Sequence, residues 1–506
     1  MWTYEIDSVG QFMEYFLTVY SGKPSNADLI IVNAGLYRLF HECSAVETDP
    51  ALKADYKAQS ALCHQNLEPL LTRLPFILPC TLDYIMALSM GSQHYMDKGK
   101  PTLAWSIIAA AGHMCLSLDF HRDSPLEPES VETRRRRIRL FWAVCLSEKS
   151  LALRLGRPST IRNSEITIPR VFDDCDEGGS SPVLQRWIDV ALLQDRVYDD
   201  IYSPSALSLP EDVRIMRARN LAAEMQKTFE HGTPLERQWE ASFREAIGSL
   251  AYDTFYYSEK VSYLAVLTLI YRSIPPSPYS GSAFSEECIS TAIQALEEHE
   301  KCISRLHDHQ NDNVLSLYIE WALLSAPFVP FIVIFCHVIE TSNTVYLSKL
   351  ASLVDLLKVA TPNLPGAYGK QCSIFTLMYE VACKYVEARA AVVAAAAAAG
   401  TGSQQMHQTH QQMQHLVSAE EFDDLFGDAG LIGAQLRSPI LRFSEAGSRQ
   451  LQQQQRQGFG LDQGTGGEGD AATSGERTAG IENGINLGNW FDQNHQIFRM
   501  MDDADS

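Results

Sequence analysis

The sequence predicts an all-α protein, an irregular array of many helices followed by a largely disordered acidic and glutamine-rich tail. Three observations support this prediction. Apolar residues recur at helical spacing through most of residues 1–400, strand-like alternation and hairpin signals are almost absent there, and the composition changes abruptly near residue 400. No sequence period recurs, so a regular repeat solenoid is not expected.

We divide the chain of 506 residues at this change of composition. Residues 1–400 form the predicted helical domain, residues 401–418 a linker rich in glutamine and histidine, and residues 419–506 an acidic tail. After Gly400 there are 16 glutamines and no lysine, with long Gly- and Ser-rich stretches. Such a composition cannot bury enough apolar surface to offset the entropy of ordering the chain, which predicts disorder.

Helices are predicted from apolar periodicity. Leu103, Ile107, Met114 and Leu118, for example, keep one apolar face through a single segment. The predicted helices are Asp28–Cys43, Lys53–Thr72, Thr81–Lys98, Pro101–Leu118, an arginine-rich helix starting at Pro128, Pro182–Tyr202, Glu211–Glu230, Ser249–Arg272, Ser285–Leu306, Val314–Ile339, Tyr346–Thr361 and Gln371–Ala399.

The segment Trp321–Ile339 is 19 residues long and carries no formal charge, which raises the alternative of a membrane span. Pro327 and Pro330 interrupt it early, and Glu320 and Glu340 flank it without a neighbouring lysine or arginine. We therefore predict a buried core helix and no membrane association.

Five arginines occupy six positions, Arg134–Arg137 and Arg139, in a chain whose formal net charge is −21. Pro128 suits the first helical position, and Glu132 lies three and four residues before two of the arginines, an order that favours ion pairing. The apolar residues that follow recur at i, i+3, i+4, i+7 and i+8, namely Ile138, Phe141, Trp142, Cys145 and Leu146. This spacing predicts a helix in which the arginines pair and pack, with nuclear import as the alternative use of the run.

The overall charge and the cysteines exclude several classes of protein. A free-standing DNA-binding protein normally shows a basic domain, and none is visible here. The 11 cysteines are scattered without a C-x-x-C pair, which argues against a disulfide framework or a compact zinc site and indicates a reducing compartment. The N-terminus lacks the basic start and apolar run of a signal peptide.

Two segments resemble a known family. "AWSIIAAAGHMCLSLDFHRD" and "ETRRRRIRLFWAVCLSEKSLALRLGRPSTIRNSEITIP" are similar to the middle homology region of fungal zinc binuclear-cluster transcription factors, and the likeness extends over roughly residues 51–390. The matching positions are His121, Arg122, Asp123, Arg135, Arg136, Phe141, Trp142, Gly156, Arg157 and Pro158. Two positions depart from the family pattern: Asp119 replaces a glycine, and Glu148–Lys149 replaces an Asp-Arg pair.

The resemblance also implies a DNA-binding module that this chain does not contain. Members of the family usually carry an N-terminal six-cysteine module that binds two zinc ions, a basic linker and a coiled coil. We therefore expect no cofactor, no metal site and no DNA-binding residue in this chain. Either the protein naturally lacks the module, or the start codon has been placed downstream of the real one.

The tail contains two segments, residues 419–433 and 489–506, in which apolar residues alternate with acidic ones. Such alternation is typical of acidic activation segments, whose apolar residues dock in a partner's groove as a helix. The alternative is a polar tail with aromatic residues by chance. The candidate activation residues are Phe422, Leu425, Phe426, Trp490 and Phe491.

The remote alternative is an all-α, magnesium-dependent enzyme. Asp173, Asp174 and Glu177 have the D-D-x-x-E spacing of a magnesium and diphosphate site. Pro169 precedes them and a Gly-Gly-Ser-Ser-Pro segment follows, so we predict a solvated loop. No catalytic serine motif, phosphate-binding loop or dinucleotide fingerprint is present, and no catalytic residue is assigned.

The sequence thus predicts a nuclear regulator of RNA polymerase II transcription. Its helical domain would control the acidic tail by binding a small-molecule effector or another factor, and the tail would recruit a coactivator or the transcription machinery. A homodimer or a heterodimer with related factors is expected, without direct contact between this chain and nucleic acid. The alternative is a helical scaffold or inhibitor that heterodimerises with an intact zinc-cluster factor.

Overall fold

The computed structural model describes residues 9–123, 130–170, 182–229, 234–277, 282–309, 314–315, 318–324, 329–360 and 367–399. Within these ranges the chain forms helices, turns and connecting loops and no strand. The predicted all-α class is therefore confirmed. The linker, the acidic tail and the five candidate activation residues lie outside the described residues, as do Asp173, Asp174 and Glu177.

The helices are numbered here in chain order. They are α1 (Val9–Ser21), α2 (Asn26–Val46), α3 (Pro50–Thr72), α4 (Leu82–Asp97), α5 (Pro101–Ser117), α6 (Val131–Arg154), α7 (Pro182–Val197), α8 (Pro204–Leu207), α9 (Glu211–Phe229), α10 (Pro234–Ile247), α11 (Ser249–Arg272), α12 (Glu286–His309), α13 (Val329–Thr341), α14 (Thr344–Ala360) and α15 (Ala367–Ala399). A short 3-10 turn covers Asn163–Glu165, and π-helical turns cover Tyr198–Tyr202 and Ile319–Leu324.

The described helices belong to two compact units. The first unit contains the described residues within 9–199, 224–255 and 309–324, and the second those within 200–223, 256–308 and 329–399. In the first unit α2 packs on α1, α3 and α4, and α6 packs on α4, α5 and α7. In the second unit α13, α14 and α15 pack on one another.

Three helices, α1, α8 and α10, are absent from the sequence prediction. In α10, Leu235, Trp239, Phe243 and Ile247 recur every fourth residue, and the rings of Trp239 and Phe243 stack with centroids 4.7 Å apart. Pro234 occupies the first helical position, where its missing N–H costs nothing. This four-residue spacing indicates a helix, but the apolar stripe is narrow because polar residues occupy most positions between.

The arginine-rich helix begins three residues later than predicted. The predicted start at Pro128 is wrong: α6 begins at Val131, and the Ser130 hydroxyl accepts a hydrogen bond from the Thr133 backbone N–H at 3.1 Å. A serine hydroxyl satisfies one of the four N–H groups that lack a partner at a helix start, which fixes the boundary there.

The apolar run contributes α13, which is buried along almost its whole length. Pro330 is the second residue of this helix, where proline is tolerated because the first-turn N–H groups have no partner inside the helix. Within the predicted helix Val314–Ile339, the structure describes a π-helical turn at Ile319–Leu324 and the helix α13 from Val329. Among the described residues, no helix is both long and apolar enough to cross a bilayer.

Three helices of the first unit end in the same left-handed cap. The residue after the C-cap is Gly99 in α4 (φ 70°), Asp119 in α5 (φ 53°) and Gly156 in α6 (φ 65°). At Asp119 the next N–H, that of Phe120, donates to the Cys115 carbonyl at 2.9 Å, which is the long bond of a Schellman motif. The departure from the family's glycine therefore keeps the cap but places a residue with a Cβ in a costly conformation.

Replacing Asp119 by glycine should stabilise the protein, because glycine adopts φ 53° without a steric penalty. We expect the free energy of unfolding to rise by about 0.5–1 kcal/mol, measured by urea denaturation of the full chain. The half-exposed ion pair with Arg122, 3.3 Å away, contributes little to offset this gain. Gly156→Ala is the matched control and should lower stability by about 1 kcal/mol. A decrease for both variants would contradict this account of the caps.

Candidate functional site

The residues that carry the family resemblance come together in the first unit. They lie on α6, on the turn after α5 (residues 119–123) and on the loop after α6 (residues 156–161); we call these three parts the motif cluster. Its predicted members are His121, Arg122, Asp123, Arg135, Arg136, Trp142, Gly156, Arg157 and Pro158.

Arg137 links α6 to the turn after α5. Its side chain is only 5% exposed, and its guanidinium donates to the carbonyl oxygens of Phe120 at 3.2 Å and Arg122 at 3.1 Å. The guanidinium carbon also lies 6.0 Å from the centre of the Phe120 ring. The sequence prediction omitted Arg137. It could have been found, because Arg137 and Phe141 are four residues apart and share the buried face of the helix.

The turn itself is fixed mainly through its backbone. The His121 carbonyl accepts hydrogen bonds from the N–H groups of Thr167 at 2.9 Å and Ile168 at 3.3 Å, and the Asp123 N–H donates to the Thr167 hydroxyl at 3.1 Å. Burial of the His121 side chain lowers its pKa, which favours a neutral imidazole. The His-Arg-Asp motif therefore holds the segment before α6 against residues 167–168.

The remaining arginines of the run also have partners. Arg134 donates to an Asp123 carboxylate oxygen at 2.6 Å, and Arg136 donates to the Tyr15 hydroxyl at 2.9 Å. Arg135 and Arg139 are half-buried and likewise engaged. The five guanidinium groups are thus distributed around the helix among protein partners, and do not form a free cationic strip.

Trp142 anchors the middle of α6. It is 1% exposed, its indole N–H donates to the Pro169 carbonyl at 3.1 Å, and its ring meets that of Phe141 edge-to-face at 5.4 Å. A buried indole needs a partner for its single donor, and Pro169 supplies it. The same contact fixes the end of the segment that follows the 3-10 turn.

Glu148 and Lys149, which replace the family's Asp-Arg pair, are both fully buried. The Glu148 carboxylate accepts from the Ser159 hydroxyl at 2.5 Å and from the Thr160 N–H at 2.9 Å. Two donors from residues 159–160 thus hold the loop after α6 against the helix that precedes it.

The Lys149 ammonium bridges three parts of the chain. It lies 3.0 Å from an Asp195 carboxylate oxygen on α7, and donates to the Ile161 carbonyl at 2.6 Å and the Ser159 hydroxyl at 3.1 Å. Burial raises the pKa of Asp195, while the Lys149 ammonium acts in the opposite direction. The family's local ion pair is replaced here by a buried network that reaches α7.

The Gly-Arg-Pro segment completes the cluster. Gly156 provides the left-handed cap, as predicted, and the Arg157 guanidinium carbon lies 4.6 Å from the centre of the Trp105 ring on α5. This distance permits a cation–π contact. Pro158 is exposed and leads into the loop held by Glu148. The three residues thus position the chain between α6 and the loop that follows it.

Within the described residues, no group of three or more His, Cys, Asp or Glu side chains is placed to hold a metal ion. The buried ionic groups contact one another and backbone atoms, which is the pattern of a structural network.

Residues 43–183 match the family described as "Fungal specific transcription factor domain". The match covers 141 of the 506 residues, so the similarity is that of one part of the chain. The whole motif cluster lies within the matched region, so the resemblance seen in the sequence is confirmed. None of the solved structures matches this fungal-specific transcription factor domain significantly.

Two relatives of the domain are named as regulators. An uncharacterized transcriptional regulatory protein of Schizosaccharomyces pombe is 24% identical over 317 residues, which are 56% of this chain and 45% of that protein. The lactose regulatory protein of Kluyveromyces lactis is 31% identical over 118 residues, which are 22% of this chain and 13% of that protein. The chain therefore spans less than half the length of either relative.

Removing the Lys149 ammonium should be severely destabilising, because Asp195 would remain buried without its counter-charge. We expect Lys149→Met to lower the free energy of unfolding by about 3–5 kcal/mol near neutral pH. Without the ammonium the pKa of Asp195 rises further, so protonation at lower pH relieves the buried charge. The deficit should thus be smaller at about pH 5 than at about pH 8 in urea denaturation.

The control for this variant is the double variant Lys149→Met, Asp195→Asn. It removes both charges and should be more stable than Lys149→Met alone, with a weaker pH dependence. A deficit that is the same in the single and double variants, and at both pH values, would show that Lys149 acts through packing alone.

The arginine run should divide into a buried member and exposed members. Arg137→Ala leaves two buried carbonyls without their donor, and we expect a loss of about 2–3 kcal/mol in the free energy of unfolding. Arg134 is 44% exposed, and Arg134→Ala should cost less than about 1 kcal/mol. Urea denaturation of both variants tests this ranking; equal and small losses would indicate a surface patch with no role in the fold.

Proposed function

We propose that this protein regulates transcription in the fungal nucleus, and that its helical part controls the acidic segments of its tail. The observation that carries the proposal is the fungal specific transcription factor domain at residues 43–183, present in one chain with segments that alternate acidic and apolar residues. The printed names of both relatives, which are regulatory proteins, support it.

The domain is proposed to act by contacting proteins, not DNA. A phosphate-binding surface needs cations that are free to replace counterions. Here Arg137 is buried against backbone carbonyls, while Arg134 and Arg136 are engaged by Asp123 and Tyr15. These contacts, together with the net charge of −21, support a role in which DNA contact is supplied outside residues 9–399. A zinc-cluster module of a dimeric partner is one source consistent with the family.

The tail is proposed to recruit a coactivator or the general transcription machinery. Phe422, Leu425 and Phe426 fall at i, i+3 and i+4, so a helix formed on binding would place all three on one face. The neighbouring carboxylates keep the segment soluble until a partner groove accepts it. Trp490 and Phe491 supply a second apolar anchor near the C-terminus.

The tail proposal is tested by fusing Ala419–Ser506 to a heterologous DNA-binding domain and measuring reporter transcription in yeast. We expect activation well above that of the DNA-binding domain alone. Replacing Phe422, Leu425 and Phe426 by alanine should reduce activation about tenfold, because aromatic and aliphatic anchors supply most of the binding energy of such segments.

The matched control replaces Ile440, Leu441 and Phe443, which lie outside both acidic segments, by alanine and should leave activation unchanged. A fusion without activity would contradict the activation role. If, in addition, overexpression of the full chain lowered transcripts of the genes it affects, the protein would be the helical inhibitor that is the alternative to this proposal.

A further inference from the structure

A cleft of about 660 Å³ lies in the first unit, outside the motif cluster. Its walls come from the 3-10 turn at Asn163–Glu165, from α7 and from the last turns of α9. The volume falls in the range of small-molecule sites, about 300–1,000 Å³. None of the contacts described above uses this cleft.

The charge of the cleft is opposite to that of the protein. Four basic side chains, Arg170, Arg186, Arg196 and Lys227, line it together with only two acidic ones, so its formal net charge is +2. The chain as a whole carries −21. A local positive potential in an acidic protein attracts small anions into the cleft and repels cations.

Two of the four basic groups are oriented by ion pairs at the rim. Arg170 lies 3.0 Å from an Asp189 carboxylate oxygen, and Arg196 donates to both carboxylate oxygens of Glu224, at 2.5 and 3.0 Å. The Arg196 contact lowers the pKa of Glu224, so this pair stays ionised. Such pairs hold long side chains in one geometry, which reduces the entropy lost when a ligand binds.

Lys227 adds a fourth basic side chain to the cleft. It is exposed in the last turn of α9 and forms no ion pair with any residue that the structure describes. Arg186 lies deeper, 8% exposed, with its guanidinium carbon 5.7 Å from the centre of the Phe229 ring. An anion between these two groups would be met by a mobile ammonium on one side and a fixed guanidinium on the other.

Asn163 adds a hydrogen-bond acceptor. Its side-chain nitrogen donates to the Leu192 carbonyl at 3.2 Å, while its buried side-chain oxygen accepts no hydrogen bond from the described residues. A buried acceptor left without a donor costs about 1–3 kcal/mol, and a hydroxyl of a ligand would remove this cost. Leu192 and Leu193 supply apolar surface beside it.

We infer that this cleft binds a small hydroxylated organic anion, of the class of sugar phosphates and hydroxycarboxylates. The phosphate or carboxylate lies between Arg186 and Lys227, and a hydroxyl donates to the Asn163 side-chain oxygen. The regulatory meaning of the site rests on the proposed function, because the ligand would be the effector of the helical domain. The binding itself does not depend on that function.

Isothermal titration calorimetry of the full chain at low salt tests the inference, with glucose 6-phosphate and citrate as probes and glucose as the uncharged control. We expect at least one anion to bind with Kd of about 1 mM or below, and glucose to bind at least tenfold more weakly. The two anions distinguish a phosphate site from a carboxylate site.

Lys227→Glu should weaken binding of the anion at least tenfold, because it places a negative charge beside the ligand. The matched control is Lys53→Glu, a partly exposed lysine of α3 in the same unit that does not line the cleft, and its Kd should stay within about twofold of the wild type. Circular dichroism confirms that both variants are folded.

Either of two results would overturn the inference: neither anion binds at millimolar concentration, or Lys53→Glu weakens binding as much as Lys227→Glu, which would indicate nonspecific attraction. These results leave the proposed function untouched, because the tail fusion does not contain the helical part. Conversely, an inactive tail fusion would not affect the binding measured here.

Discussion

The buried Lys149 ammonium is the constraint on which the rest of the first unit depends. A fully desolvated cation is tolerated only where its charge and its three donors are satisfied, and here Asp195, the Ile161 carbonyl and the Ser159 hydroxyl do this together. These partners belong to α7 and to the loop after α6, so burying one side chain fixes three segments at once. Glu148 accepts two further hydrogen bonds from the same loop, at Ser159 and Thr160, just after the turn at Gly156.

The arginines of the run have different partners because they point in different directions around α6. Successive residues of a helix point about 100° apart, so four adjacent arginines cannot share a face. Arg137 turns inward to backbone carbonyls, Arg136 reaches Tyr15 of α1, and Arg134 reaches Asp123 before the helix begins. The run therefore joins α6 to two other parts of the chain. In this protein of net charge −21 the arginines stabilise the fold. In a basic DNA-binding domain such side chains would instead bind phosphates.

Local patterns in the sequence predict most of the helices. They do not predict the contacts of the motif cluster, which join residues far apart in the chain. Periodicity located α2 to α5 within a few residues, and the glycine at 156 predicted its cap. The predicted start of α6 is three residues too early, because both Pro128 and Ser130 are residues that favour a helix start and the Ser130 hydroxyl forms the cap. The partner of Lys149 lies 46 residues further along the chain, and no local pattern distinguishes Asp195 from its neighbours on α7. The burial of Arg137 is predictable from its position on the same helix face as Phe141. The carbonyl groups to which it donates are not predictable from the sequence.

Helix α7 contacts the motif cluster and also lines the cleft, and this double role sets what a ligand could do. Asp195 contacts Lys149 while the next residue, Arg196, lines the cleft; Gln194 accepts from the Ser150 hydroxyl of α6 at 2.8 Å. Asn163, also in the cleft, follows the loop that Glu148 holds and donates to the Leu192 carbonyl of α7. An anion at the cleft would therefore act on the same helix that the buried network fixes to α6. A ligand shifts an equilibrium only by its difference in affinity between two states. Control of the tail through this cleft thus requires a second arrangement of α7, in which Arg186 no longer faces the anion beside Lys227.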